Sequence, residues 1–290
     1  MRPSLSVILP CHRREALLAE CLAALARQTL PADEYEVIVV DDGSPVPLAE
    51  GLPDFPGMNL RFARQSQSGP AKARNTGAAL AKGSVLAFID SDCQAEPAWL
   101  EHMSRAFRQS PSTTCLAGKT VNALTDNLCS EASQALIDYL FQVFDSDEDG
   151  PGFVTSGNMA CEAGVFHKLG GFSEAFPLAA GEDRYFGFQW TACIGQIRFV
   201  PDAVVRHHHA LTLPGFFRQH LNYGKGARTC HRLMRDHGQA PPAPQPFRFY
   251  RDLLRHPFQL PDRTRFTRLR LSLLMGGSQI ANALGFLIGS

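Results

Sequence analysis

The chain has 290 residues, with 28 lysines and arginines matched by 28 aspartates and glutamates, which suits one sizeable soluble domain with an appendage, or two small domains. The balance hides a split. From Asp202 onward 13 basic residues face 4 acidic ones, while before it 15 face 24, so the acidic front argues against nucleic acid as a partner and the basic back suits an anionic surface such as a membrane or a nucleotide phosphate.

Eight scattered cysteines form no CxxC pair, which predicts reduced, mostly buried thiols in a cytoplasmic protein. The apolar run after the N-terminal "MRPS" is five residues long, too short for a secretory leader.

Three apolar, β-branched-rich runs come first: "LSVILP" (5–10), "EVIVVDD" (36–42) and "SVLAFID" (84–90). They read as strands buried on both faces. Helix-length segments lie between them, Glu15–Gln28 and the Ala-rich Pro70–Lys82. Such alternation predicts an α/β, mostly parallel, doubly wound sheet whose ligands sit beyond the carboxyl ends of its strands. Further on the pattern predicts a helix over 97–109, a strand near 113–118, a helix around 130–144, strands at "QIRFV" and "AVVR", and a helix over 214–235 with Gly224 and Gly226 as weak points. A Pro-rich linker at 239–246 precedes a last apolar helix.

Each early strand ends in residues that carry chemistry. Asp90 and Asp92 flank Ser91, and two carboxylates so close repel unless a cation lies between them. Hard oxygen ligands of this kind suit Mg2+ or Mn2+ bridging a diphosphate; the alternative is a solvated turn before the next helix. "DSDEDG" at 145–150 repeats the DxD pattern without a buried strand before it. Ser156 stands where a calcium loop needs its glutamate, so that segment reads as a solvated loop.

Asp41 and Asp42 end the second strand, where an Asp accepts hydrogen bonds from a ribose or base, or closes an Asx-turn. A dinucleotide reading fails, because "PCHRRE" replaces the GxGxxG that should follow the first strand. Ser68–Gly69–Pro70 suits a helix N-terminus facing an anion, with Lys72 and Arg74 adding charge. Glu182 and Asp183 open another helix, where a carboxylate can serve as general base or simply complement the helix dipole. His207 and His209 share one strand face, as a metal ligand and its neighbour or as a surface cluster.

In order and spacing, "SVILPCHRR", "YEVIVVDDGS", "GPAKARNTGAALAKGSVLAFIDSDC", "SGNMACEAGVFHKLGGFSEAF" and "GEDRYFGFQW" resemble the family 2 glycosyltransferases of the GT-A fold, over residues 4 to about 226. The resemblance implies a metal-dependent, inverting transfer of one sugar from a UDP-, GDP- or dTDP-sugar to a hydroxyl of a glycan, a lipid-linked or a small-molecule acceptor. It implies that Pro10 to His12 line the nucleotide pocket, Asp42 binds the base, and Arg74 lies near base or diphosphate. Asp92 is the expected metal ligand, with Asp90 and Ser91 beside the ribose or metal-bound water and His207 as a further ligand. Asp183 matches the catalytic base and Glu182 its neighbour; the "GNM" around Asn158 has no assigned contacts.

The processive synthases' QxxRW is absent, since "FQWTACIGQIRF" places Gln189 and Trp190 without that spacing, which favours single-sugar transfer. The expected layout is a catalytic domain at 1–210, split into a nucleotide-binding half (1–95) and an acceptor half (96–210), followed by a helical tail at 211–290. A nucleotidyltransferase and a non-catalytic sugar-binding protein on the same fold are the competing classes. In the tail, "RTRFTRLR" leads into a helix with Leu273, Ile280, Leu284 and Ile288 on one face. Residues 263–290 are therefore expected either to lie in the interface at the inner face of the plasma membrane or to pack on protein.

Overall fold

The computed structural model describes residues 4–144, 153–176, 178–261 and 263–289. The acidic loop at 145–150, read above as solvated, lies outside the described residues.

The three apolar runs form β1 (Leu5–Cys11), β2 (Tyr35–Asp42) and β4 (Val85–Ile89), each buried along its whole length. Their side chains alternate between two cores. Val7, Val37 and Ala87 face α1 (Glu15–Leu25) and α3 (Trp99–Arg108), while Ile8, Ile38 and Leu86 face α2 (Pro70–Leu80), α5 (Ala163–Leu169) and α6 (Glu182–Cys193). Helices on both faces explain why the runs are almost wholly apolar between their ends; the exception, Ser6, donates to the buried Glu36 carboxylate at 2.7 Å. α2 is Ala-rich because it lies close on the sheet: a Cβ at Gly77 would come within 2.5 Å of Ile8 Cγ2.

The sequence pattern missed β3 (Leu60–Gln65), which is only partly buried and alternates with charged residues, and the short β5 (Cys93–Ala95) and β7 (Asn158–Glu162). With β6 (Cys115–Asn122) and β8 (Ile197–His207) they complete a sheet of order β3-β2-β1-β4-β7-β6-β8-β5. β3, β2, β1 and β4 run parallel; β7 is antiparallel to β4 and β6, and β8 is parallel to β6. The carboxyl ends of β1, β2, β4 and β8 therefore meet at one edge.

Three boundaries differ from expectation for local reasons. α1 ends at Leu25 because the side chain of Gln28 turns back, donating to Glu96 O and accepting from Leu100 N–H. α2 ends at Leu80, before Lys82 N–H binds the buried carboxylate of Glu36 at 2.6 Å. The two segments "QIRFV" and "AVVR" are one strand, β8, which bulges at 201–203 where its register against β6 jumps. Asn158 fills that bulge: its Nδ2 donates to Lys119 O and Ala203 O, and its Oδ1 accepts from the Trp99 indole at 2.8 Å. The "GNM" segment is thus held by structure rather than turned to a ligand.

α4 (Leu128–Phe144), α7 (Leu213–Asp236), α8 (Phe247–Arg255) and α9 (Arg265–Ile288) form a helical layer beside the sheet. Gly224 and Gly226 are not weak points in α7, which continues through both. A Cβ at Gly224 would overlap Asn282 O of α9, and one at Gly226 would overlap Ala180 O. These glycines let α7 lie in backbone contact with α9 on one side and with the loop before α6 on the other. All eight cysteines are unpaired, and only Cys193 is exposed.

Candidate active site

The cluster begins at the β1 turn. Arg13 and Arg14 sit at φ 60° and 64°, in the left-handed region that side-chain-bearing residues avoid and that persists mainly at functional sites. This strain aims Arg14 at Asp92, with Nη1 donating to Oδ2 at 2.5 Å. Arg14 was not singled out from the sequence; two arginines in a row at a strand end were the available signal.

Asp92 is buried, and its other oxygen faces His207 Nε2 at 3.4 Å. Burial alone would raise its pKa, but the His207 hydrogen bond and the charges of His207 and Arg14 outweigh it and hold the carboxyl at about 2. His207 is itself pushed up: burial opposes, yet Asp92 dominates. His209 stacks on His207 at 4.9 Å between centroids, and burial pushes it down to about 4. Asp92, His207 and Cys93 bring one ligand atom each to within 4.8 Å of one another. The Cys93 thiol is pushed well up by burial and is too soft for a hard cation; the carboxylate and imidazole form an oxygen and nitrogen donor set that Mn2+ or Mg2+ accepts.

Asp90 departs from the expectation of a shared cation. Its Oδ1 accepts from Arg74 Nη2 at 2.6 Å, and it is absent from the Asp92–His207 group. Successive turn positions place the two carboxylates on different partners, and Gly157 makes room, since a Cβ there would come within 2.6 Å of Asp90 Oδ2.

Arg74 is 3 % exposed. Its Nη1 also donates to Glu182 Oε1 at 3.2 Å, and Phe172 lies 5.6 Å from its guanidinium. It therefore joins α2 to α6 and is not free to meet a base. Glu182 is pushed up to about 7 by burial and by Asp183, against the pull of Arg74. The shorter Arg74–Asp90 bond explains why Glu182 receives the lesser share of that charge. Asp183 is partly exposed, accepts from Arg184 N–H at 2.7 Å, and is also raised by burial. Gly181 at φ 95° turns the chain into α6 so that both acids fall in its first turn.

Asp42 is occupied by the chain itself: Oδ1 accepts from Gln65 Nε2 and Ser68 N–H, and Oδ2 from Gly69 N–H, all at 2.8 Å. His12 Nδ1–H donates to Asp42 O at 2.8 Å. Ser91 is buried against the Cys11 thiol, and Pro10 is buried in β1 beside Val40. Hence Pro10 and Ser91 shape the edge without offering a free group, while the charged side chains form two separate groups, Arg14–Asp92–His207 and Asp90–Arg74–Glu182, with Asp183 next in the chain after Glu182.

α7 adds residues that the sequence pattern concealed within a long helix. Tyr223 is pushed up to about 12 by burial and by the charges of Asp183, Glu182 and Asp90, against a hydrogen bond from Gln219. That bond, Gln219 Nε2 to Tyr223 Oη, is 2.5 Å long. Tyr223 is thus buried near enough to the three acids to feel their charge.

Residues 6–170 match Glycosyl transferase family 2, and the chain belongs to that family. The validoxylamine A glucosyltransferase of Streptomyces hygroscopicus subsp. limoneus is 26% identical over 268 residues, 81% of this chain and 57% of that protein. Glycosyltransferase AglE of Haloferax volcanii is 39% identical over 102 residues, 34% of each. The chain therefore spans between 34% and 57% of the length of these two curated relatives. Among solved structures, the mannosyltransferase PcManGT of Pyrobaculum calidifontis, in complex with GDP-Man and Mn2+, superposes with a TM-score of 0.62 at 19% identity, over 100% of this chain and 77% of that one. The shared architecture is the GT-A fold.

Proposed function

We propose that this chain is a cytoplasmic, metal-dependent, inverting glycosyltransferase that moves one sugar from a nucleotide-sugar to an acceptor hydroxyl in cell-envelope or other glycoconjugate synthesis. The observation that carries this reading is Arg74, which ties the strand-end Asp90 to Glu182 beside Asp183. A donor bound at the strand ends and an acceptor beside α6 would thereby share one cleft.

Asp92 and His207 are the residues that would hold Mg2+ or Mn2+, whose chemistry there is to neutralise charge developing on the departing diphosphate. Arg14 is half-exposed and held to Asp92 by one ion pair, so it is a cation able to turn toward a diphosphate. His12, beside Asp42, lines the nucleotide side.

Asp183 takes the proton of the acceptor hydroxyl. Its raised pKa suits that role, since a base gains from affinity for the proton it must accept. The acceptor oxygen forms a bond to the anomeric carbon as the bond from that carbon to the diphosphate oxygen breaks. Attack from the opposite face inverts the anomer, and no covalent enzyme intermediate is needed. Glu182, fixed by Arg74, keeps the start of α6 in place and is a positioning residue.

The experiment is transfer from a nucleotide-sugar in the presence of Mn2+, with the product anomer read by NMR. Inversion, together with its loss in Asp183→Asn, supports the reading; retained configuration or an unaffected D183N variant overturns it.

A further inference from the structure

We infer that α8 and α9 seat this protein on the surface of an anionic lipid bilayer, with α9 lying in the headgroup plane rather than crossing the membrane. The inference deepens the transferase reading, on which it rests for its use: it would bring the hydroxyl of a membrane-borne acceptor to the protein.

α9 is divided lengthwise. Leu271, Met275, Ser278, Ala281 and Gly285 are buried toward α7, α4 and α8. On the other side Phe266, Leu269, Leu273, Ile280, Leu284 and Leu287 are exposed, four of them by about two-thirds or more (Phe266 69%, Leu273 67%, Ile280 66%, Leu287 70%). Their spacing of three, four or seven residues puts them on one stripe, and a helix of 24 residues carries it for about 36 Å. At Gly276 and Gly277 that stripe is flanked by Leu254 of α8 and Phe217 of α7, respectively. Between α7 and α9 a groove lined by Phe217, Arg218, Ile280 and Leu284 continues the apolar surface. So broad an exposed apolar face marks an interaction surface.

Charge selects the partner. No aspartate or glutamate occurs from residue 263 to 290. Arg265 and Arg270 are exposed, and Arg270 lies over the Phe266 ring at 5.6 Å. α8 repeats the pattern: Phe247, Tyr250 and Leu254 are exposed, each followed by an arginine, Arg248, Arg251 and Arg255, of which Arg251 is paired with Asp252. An apolar stripe rimmed by arginines fits acyl chains beneath anionic headgroups. A protein partner would meet the same apolar stripe, but the arginine rim on both helices selects an anionic sheet of headgroups.

α9 is long and apolar enough to cross a membrane, yet its packing places it on one. Gly285 and Gly224 bring the α9 and α7 backbones into contact, and Ser272 Oγ donates to Leu254 O at 2.9 Å. Crossing would strip both contacts from the helical layer. α7 in turn touches the loop before Glu182 through Gly226 and Ala180, so one helix separates the lipid face from the acid cluster.

The test is flotation of the full chain with phosphatidylcholine vesicles, with and without phosphatidylglycerol, in the absence of donor and acceptor. We expect binding roughly ten-fold or more greater to the anionic vesicles, weakening as salt rises. Leu273→Ser/Ile280→Ser/Leu284→Ser should lower it by roughly ten-fold or more, and Arg265→Glu/Arg270→Glu should lower it while keeping the stripe. All five side chains are exposed, so unchanged melting checks that both variants fold. Equal binding to neutral and anionic vesicles, no binding to either, or binding indifferent to both variants overturns the inference. So does a dimer that the serine variant converts to monomer while vesicles stay unbound. Because flotation reads no turnover, its failure leaves the transferase reading standing, and failure of transfer leaves this one.

Discussion

Arg74 and Glu182 lie 108 residues apart in the chain and 3.2 Å apart in space. The same guanidinium holds Asp90 at 2.6 Å, so one buried cation serves a carboxylate at the end of β4 and one at the start of α6. Removing it leaves two unpaired acids, Glu182 buried and Asp90 about one-third exposed. Arg74→Met should therefore lose about 3 kcal/mol of stability at pH 8, and less at pH 5, where Glu182 can take up a proton. Urea denaturation at the two pH values measures this, and a loss below about 1 kcal/mol at pH 8 contradicts the pairing.

Glu182 predicts a stability slope of defined sign. Its folded pKa of about 7 stands above the ordinary 4.5, so the folded state binds its proton more tightly than the unfolded chain does. The stability this contributes is fully present below about pH 4.5 and is lost as pH rises through about 7, up to roughly 3 kcal/mol in all. Glu182→Gln should flatten the dependence of denaturation midpoint on pH between 5 and 8. A slope unchanged by that substitution contradicts the assignment.

Asp183 should separate chemistry from donor binding. Asp183→Asn removes the proton acceptor while keeping the shape, and transfer should fall by about 100-fold or more. Donor affinity, measured by calorimetry, should stay within about two-fold, because the base enters only as the acceptor oxygen attacks. A parallel loss of donor binding would assign Asp183 to the nucleotide instead.

The α7–α9 contact predicts a packing effect far from the cleft. A side chain at Gly285 would run into Leu221 O of α7, and neither backbone can move without unpacking the helical layer. Gly285→Val should lower the melting temperature by an amount equivalent to roughly 3 kcal/mol. Substitution of exposed Ala283 by Val should lower it by less than about 1 kcal/mol.

The strands that are buried on both faces were readable in the sequence, because nothing polar interrupts Val37–Val40 or Val85–Ile89 and only Ser6 interrupts Leu5–Leu9. The acids at the ends of the second and third of these could be read as well, since each strand delivers them to the sheet edge. What each acid touches could not. Asp90 and Asp92 look equivalent in "DSD", yet one is held by Arg74 of α2 and the other by Arg14 and His207. Asp42, expected to await a base, is held by Gln65 and the backbone at Ser68 and Gly69. Those differences arise from tertiary contacts with no local periodicity. Asn158 shows the same limit: its role follows from a bulge in β8, 45 residues away at Ala203. In the tail the apolar face Leu273, Ile280, Leu284 and Ile288 was legible as a face. That it is exposed, while Leu271, Met275 and Ala281 are buried, required the packed helices.

The most direct test of the account is a thermal-shift panel of nucleotide-sugars with and without Mn2+, run on the native chain, Asp92→Asn and Asp183→Asn. The account predicts that at least one nucleotide-sugar raises the melting temperature only when Mn2+ is present, that D92N abolishes this shift, and that D183N retains it. A shift that is indifferent to Mn2+, or that survives in D92N, would contradict the claim that Asp92 and His207 hold the donor's cation at this edge.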